Sequence, residues 1–229
     1  MKNMKKNVKG MGKKPKIFAV GDIHGCFEKL VQLMDRLPFD PKEDFLVFLG
    51  DYIDRGNESS KVISYLLALK ERCRNIFFLM GNHEHVLLEY ARTGDEEYLR
   101  ILRKIGIEET LRSYGDSPVR SLYDLSFLPS DHRSFLEQLL PYYETEDYLF
   151  VHSGLPPGIA PENCPIEALL SVRGTFLWHP VTLDKLIVFG HTPFETPFVT
   201  SDKIGIDTGA VYGNMLTAVE LPRVRFYHS

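Results

Sequence analysis

Five short apolar runs in this 229-residue chain each stop at residues able to bind a metal ion or move a proton. Lys16–Val20 leads to Asp22 and His24, Phe45–Leu49 to Asp51, and Ile76–Met80 to Asn82 and His83. Tyr148–Val151 leads to His152, and Leu186–Phe189 leads to His191. One histidine at a strand end is ordinarily a structural hydrogen-bonding group. Five independent runs that all end in Asp, Asn or His ask for a shared chemical purpose. Carboxylate, amide oxygen and imidazole without thiolate form a hard-to-borderline donor set that suits Mn²⁺, Fe, Zn²⁺ or Mg²⁺.

The number of donors fits two divalent metal ions rather than one. Asp22 and His24 are two residues apart, so in extended backbone their side chains lean the same way toward one ion. Asn82, His152 and His191 remain for a second, and Asp51 emerges between them as the bridge. Two such ions, roughly 3.5–4 Å apart, share a water, lower its pKa and clamp a phosphoryl group for in-line attack. His83, next to Asn82, can then protonate the departing oxygen as a general acid. Asp54 is expected to hydrogen-bond His83 and to hold it oriented and cationic. Arg55 offers a planar fork to phosphate oxygens, and Arg173 in Ser171-Val172-Arg173-Gly174 could close on the same group.

Bulk properties narrow the kind of protein that could carry such a site. With 44% hydrophobic and 25% charged residues, and a mean hydropathy of −0.15, the composition is that of an ordinary globular protein. The net charge of −4 and a pI near 6.1 argue against a nucleic-acid partner held by phosphate electrostatics. No apolar run reaches the roughly 18 residues of a membrane span, so no membrane partner is expected. Cys26, Cys73 and Cys164 form no CxxC pair, so neither a disulfide framework nor a thiolate zinc site is indicated, and reduced cysteines in a cytoplasmic protein are expected. Residues 1–15 carry six lysines and are followed by no signal-type apolar segment, so they read as a disordered basic tail.

The elements that must position the chemistry follow from apolar periodicity. Phe27, Leu30, Val31, Met34 and Leu37 recur at helical spacing after the first strand, and Pro38 stops that helix. Val62, Ile63, Leu66, Leu67 and Leu69 mark a second helix between the second and third strands. Strand, helix, strand, helix, strand with long connections predicts parallel pairing through right-handed crossovers. Near-continuous apolar strands predict a sheet covered on both faces, with ligands beyond the strands' carboxyl ends. Residues 85–147 read as a helical insertion with no recognisable chemistry, inside a single domain spanning 16–229. The last two strands, Leu216–Leu221 and Arg223–Tyr227, read as antiparallel or edge strands.

Three motifs carry a resemblance: Gly21-Asp22-Ile23-His24-Gly25, Gly50-Asp51-Tyr52-Ile53-Asp54-Arg55-Gly56 and Gly81-Asn82-His83-Glu84. With Val151-His152-Ser153-Gly154 and Gly190-His191-Thr192, their order and spacing resemble the phosphoprotein phosphatase family of metallophosphoesterases. The resemblance implies a calcineurin-like α/β sandwich of mixed sheets flanked by helices. It implies a dinuclear site, with Mn²⁺ the expected metal, that hydrolyses phosphomonoesters by direct attack of water. Asp22, His24, Asp51, Asn82, His152 and His191 would be the metal ligands, His83 with Asp54 the acid pair, and Arg55 with Arg173 the phosphate clamp. Asp207-Thr208-Gly209-Ala210-Val211-Tyr212-Gly213 stands in place of the segment seen in eukaryotic members, which points to the compact bacterial or phage-type branch. The second motif resembles the serine/threonine protein phosphatase version, and Glu84 stands where symmetrical dinucleotide hydrolases often carry Asp. The expected activity is therefore that of a monomeric serine/threonine protein phosphatase acting on a phosphorylated protein or a small phosphoester. A diadenosine tetraphosphate hydrolase is the alternative, and a non-catalytic phosphate-binding protein on the same fold a remote one.

Overall fold

The computed structural model describes residues 15–229, so the tail expected over 1–15 lies, Pro15 apart, outside the described residues. The apolar runs become short strands separated by amphipathic helices: β1 (Ile17–Val20), α1 (Phe27–Arg36), β2 (Phe45–Phe48), α2 (Ser59–Arg72) and β3 (Asn75–Phe78). Four helices follow, α3 (Asn82–Thr93), α4 (Glu96–Ile105), α5 (Ile107–Ser113) and α6 (Ser130–Glu137). The chain continues through β4 (Tyr142–Glu144), β5 (Tyr148–Val151), α7 (Ile166–Ser171), α8 (Gly174–Trp178), β6 (Leu186–Phe189), β7 (Phe198–Val199) and β8 (Lys203–Gly205). It closes with β9 (Thr217–Leu221) and β10 (Arg225–His228).

Two mixed five-stranded sheets result, in the orders β10-β9-β1-β2-β3 and β4-β5-β6-β8-β7. In the first, β1, β2 and β3 run parallel, Ile17 opposite Phe45 and Phe45 opposite Asn75, while β9 and β10 add antiparallel strands on one side. In the second, β5, β6 and β8 are parallel and the edge strands β4 and β7 are antiparallel.

Alternation along the strands explains how the sheets stack. Ala19, Val47, Leu49, Leu79 and Val219 of the first sheet pack against Phe150, Val188 and Ile204 of the second, all essentially excluded from water. The intervening Phe18, Val20, Leu46 and Phe48 turn the other way, onto a core shared with α1, α2 and the helices up to α6. Leu149, Val151, Ile187 and Phe189 likewise face Leu169 of α7 and Phe176 of α8. Both faces of both sheets are thus covered, which is why the strands read as unbroken apolar runs. Cutting Leu49 or Leu79 back to Ala would open the inter-sheet layer and cost about 2–5 kcal/mol.

The stretch expected to be purely helical, 85–147, also contains β4. Tyr142 and Tyr143 pair with Val151 and Phe150, and the Tyr143 ring stacks on Phe77 with centroids 3.8 Å apart. Two adjacent tyrosines thus serve as strand and inter-sheet filler at once, which no helical periodicity could announce. No helix among the described residues is long and apolar enough to cross a membrane.

Candidate metal centre

The loops after β1, β2 and β3 are tied to one another before any ion is considered. Ile23 and His24 both donate their backbone N–H to the Asp51 carbonyl (3.1 and 2.8 Å), and Gly25 donates to the Tyr52 carbonyl (2.9 Å). Glu84, in the first turn of α3 and wholly buried, accepts the backbone N–H of Asp51, Tyr52, Ile53 and Gly81 at 2.8–3.2 Å. One carboxylate therefore takes over where strand pairing has ended. It satisfies the amides of two motifs together.

This lacing holds strained backbone. His24, Asp51, Asp54, Arg55 and His191 all have φ between 45° and 70°, and they are five of the eight non-glycine residues with positive φ among the described residues. Each such conformation costs of order 1–3 kcal/mol and persists where its surroundings over-determine it. At two places the site's carboxylates come so near the main chain that only glycine fits. A Cβ at Gly81 would strike Asp51 Oδ1, and one at Gly190 would strike Asp22 Oδ1.

Imidazole orientation shows which nitrogens are available to a ligand. His24 Nδ1–H donates to the Ile53 carbonyl (2.9 Å) and His152 Nδ1–H to the Leu49 carbonyl (2.8 Å). With Nδ1 so engaged, each ring turns its Nε2 inward, as metal-ligating histidines do. His24 Nε2 lies 3.3 Å from Asp51 Oδ2, and His152 Nε2 lies 3.5 Å from Asp51 Oδ1. His152 Nε2 and His191 Nδ1 both converge on Asn82 Oδ1, at 3.1 and 2.8 Å. Two sets of ligand atoms arise, His24 with Asp51 and His83, and Asp51 with His152 and His191, each set within 4.8 Å. Asp51 belongs to both, one oxygen turned to each. Asp22, expected as a ligand, stands outside both sets and accepts the His191 N–H on its carboxylate (3.0 and 3.1 Å).

Electrostatics match a site built for cations. Burial, reinforced by Asp207 and Asp51, raises the Asp22 carboxyl well above the usual carboxylate range. Burial would also raise Asp51, but His152, His83 and His24 around it outweigh that and hold it well below. Burial lowers His152, and burial together with His152 pushes His191 down to about 3, so these rings stay neutral. Buried carboxylates crowded beside imidazole nitrogens form a donor set that divalent metal ions fit.

The remaining polar side chains flank this centre. His83 Nδ1–H donates to Asp54 Oδ2 (2.8 Å), and His83 Nε2 is buried, without a hydrogen-bond partner among the described residues, 3.8 Å from Asp51 Oδ2. Asp54 is itself held by Thr110 of α5, whose hydroxyl donates to Asp54 Oδ1 (2.7 Å) and accepts the Asp54 N–H (2.8 Å). Arg55 Nη1 lies 2.8 Å from His24 Nε2, with its guanidinium 5.6 Å from the Tyr212 ring centroid. Arg173 Nε donates to His191 Nε2 (3.0 Å), which brings the second guanidinium to the far side.

All ten residues given a role at the site from the sequence thus gather at one place, together with four that were given none: Glu84, Thr110, Asp207 and Tyr212. Glu84 follows Gly81 at the spacing of a helix capping box, a readable signal. Asp207 follows the apolar Lys203–Ile206 run, as the ligand candidates follow theirs. Thr110 and Tyr212 had no such mark, and the helical stretch that looked empty of chemistry in fact positions Asp54.

Comparison with known proteins places this geometry among phosphoester-cleaving enzymes. The sequence pattern of the calcineurin-like phosphoesterases matches residues 15–213. A bis(5'-nucleosyl)-tetraphosphatase PrpE (asymmetrical) of Oceanobacillus iheyensis is 28% identical over 92% of this chain and 90% of its own length. A symmetrical bis(5'-nucleosyl)-tetraphosphatase of Wigglesworthia glossinidia brevipalpis is 33% identical, over 61% of this chain but only 45% of itself. A crystal structure assigned provisionally as a diadenosine tetraphosphatase shares the fold, with a TM-score of 0.70, 21% identity, and coverage of 95% and 94% of the two chains. These relatives overturn the expectation of a serine/threonine protein phosphatase. The residues behind that expectation do not face a substrate. Tyr52 and Ile53 are fully buried, the Tyr52 hydroxyl donates to the Leu79 carbonyl (2.8 Å), and the Glu84 carboxylate binds the loop's own amides.

Proposed function

Because the chain belongs to the calcineurin-like phosphoesterases, we propose that it is a dinucleoside tetraphosphatase that cuts a bis(5'-nucleosyl) tetraphosphate asymmetrically, into a nucleoside triphosphate and a monophosphate. The observation that carries this reading is the nearly end-to-end match to a relative named for that activity. His24 and Asp51, with Asp22 alongside, would hold one divalent ion, and Asp51, Asn82, His152 and His191 a second; the hard-to-borderline donor set is one that Mn²⁺ suits. When bound, such ions supply an activated water and offset the charge that develops on the phosphoryl oxygens.

The chain's own residues do the rest. Arg55 and Arg173, against His24 and His191 on opposite sides, grip the phosphoryl oxygens that point away from the ions. His83 gives a proton from Nε2 to the departing phosphate oxygen, while Asp54 fixes its ring through Nδ1. A polyphosphate leaving group needs less proton donation than an alkoxide, so His83 should matter less here than it would for a phosphoserine.

The test is chromatography of the products formed from diadenosine tetraphosphate by the Mn²⁺-loaded protein. ATP and AMP in equal amounts are expected. ADP as the sole product would overturn the asymmetric cut, and preferential turnover of a phosphoserine peptide would overturn the substrate class.

A further inference from the structure

A cavity of about 560 Å³ adjoins the metal centre, walled by Met80, Leu139, Tyr142, Ile166 and Leu169 and entered by His85. Met80 and His85 bracket Gly81–Glu84, the segment that carries Asn82 and His83. On the other side, the Leu169 carbonyl accepts the N–H and the hydroxyl of Ser153 (3.1 and 2.8 Å), the residue after His152. The cavity wall thus includes residues two positions from Asn82 and His83, and one hydrogen-bonded to the residue after His152. Its size lies within the range of small-molecule sites. His85 lines the cavity, and its Nε2 is buried with no hydrogen-bond partner among the described residues. An unsatisfied buried nitrogen is costly unless something binds it.

Largely apolar walls with a few polar groups, at His85, Tyr142 and Glu162, complement a ligand that has apolar faces and a polar edge. We propose that this cavity receives one nucleobase of the dinucleotide, stacked among the apolar side chains with its edge toward the His85 ring. The proposal rests on the tetraphosphatase reading and adds a reason for the position of the cut. A base anchored directly beside the centre leaves only its own 5'-phosphate within reach of the reacting position. A symmetrical cut would need the base one phosphate farther away. The cavity on the Arg55 side, about 460 Å³, is more polar: beside Phe27 and Val211 it is lined by the charged Glu28, Lys29, Arg55, Glu58 and Glu109.

Two cysteines make the assignment testable without turnover. Cys164 lines the proposed base site and Cys26 the charged cavity, and both are half-buried thiols. The holoprotein would be alkylated with iodoacetamide with and without adenosine, which carries no phosphate, and labelling read peptide by peptide. At adenosine ten times above its Kd, Cys164 labelling should slow about tenfold while Cys26 labelling holds. Equal labelling of Cys164 with and without adenosine overturns the site. In H85L, kcat/KM for diadenosine tetraphosphate relative to that for p-nitrophenyl phosphate should fall about tenfold, the worth of one hydrogen bond, with ADP appearing among the products. An unchanged ratio and product pattern overturns the role of His85. Protection of Cys164 in a protein that leaves the dinucleotide uncut would support the base site and refute the tetraphosphatase reading. Cleavage without protection would refute the base site alone.

Discussion

The first sheet supplies the centre with Asp22, His24, Asp51, Asp54, Arg55, Asn82 and His83 from three interlaced loops, whereas the second supplies His152 and His191 from two short turns. The loops of the first sheet hold most of the strained backbone, and Glu84 binds them into one unit through four amides. Their charges are mutually unfavourable: burial and the neighbouring carboxylates raise Asp22, and burial raises Asp207 nearby on the second sheet's side. The second sheet's imidazoles are kept neutral by burial. One half thus brings most of the carboxylates and the Asp54-bound His83, the other two imidazoles. Asp51 joins them, with Oδ2 toward His24 and Oδ1 toward His152.

The largest effect should come from breaking that joint. Asp51→Asn removes the group common to both halves, and hydrolysis of any phosphoester should fall to background by steady-state assay. His83→Asn touches the first half alone. Its turnover of diadenosine tetraphosphate should drop by about 10²-fold, the lower end for a general acid, because the leaving group is a phosphate. Thr110→Val acts one shell further out, by freeing Asp54. Activity should fall by about 10-fold, with a loss of about 1–3 kcal/mol in urea unfolding for the stranded Asp54 amide.

The smallest effect contrasts the halves through pH, in the metal-free protein. Asp22 has a raised pKa in the folded chain, so the stability it contributes is present below its ordinary 3.8 and is lost as pH rises through the raised value. His191 has a lowered one, about 3, so wild-type stability falls as pH drops below 6.5, where only the unfolded ring takes a proton. Between pH 4 and 6, the stability gap between wild type and Asp22→Asn should run opposite in sign, as pH changes, to the gap between wild type and His191→Gln. Urea midpoints across that window measure both, and parallel trends would show that the halves do not differ electrostatically.

Much of the fold and the centre was legible in the sequence because strands, crossovers and ligands share one signature. An apolar run that must be buried ends where a polar side chain can be exposed to a ligand, and seven of the positions announced themselves in that way. Asp54 and Arg55 were legible from their motif. Arg173 was not fixed by spacing, since it sits at the entry to the short helix α8. Thr110 reaches Asp54 from 56 residues away, a relation that only tertiary packing creates. The expectation of a protein phosphatase rested on Tyr52, Ile53 and Glu84, which are buried and brace the loops rather than face the open side of the site.

Metal titration by calorimetry with parallel elemental analysis tests the central claim most directly. Wild-type protein should bind two divalent ions per chain, His24→Ala and His191→Ala one each, and Asp51→Asn should lose affinity at both sites. A wild-type protein that binds one ion, or an Asp51→Asn variant that keeps two at full affinity, would contradict a centre shared by the two sheets through Asp51.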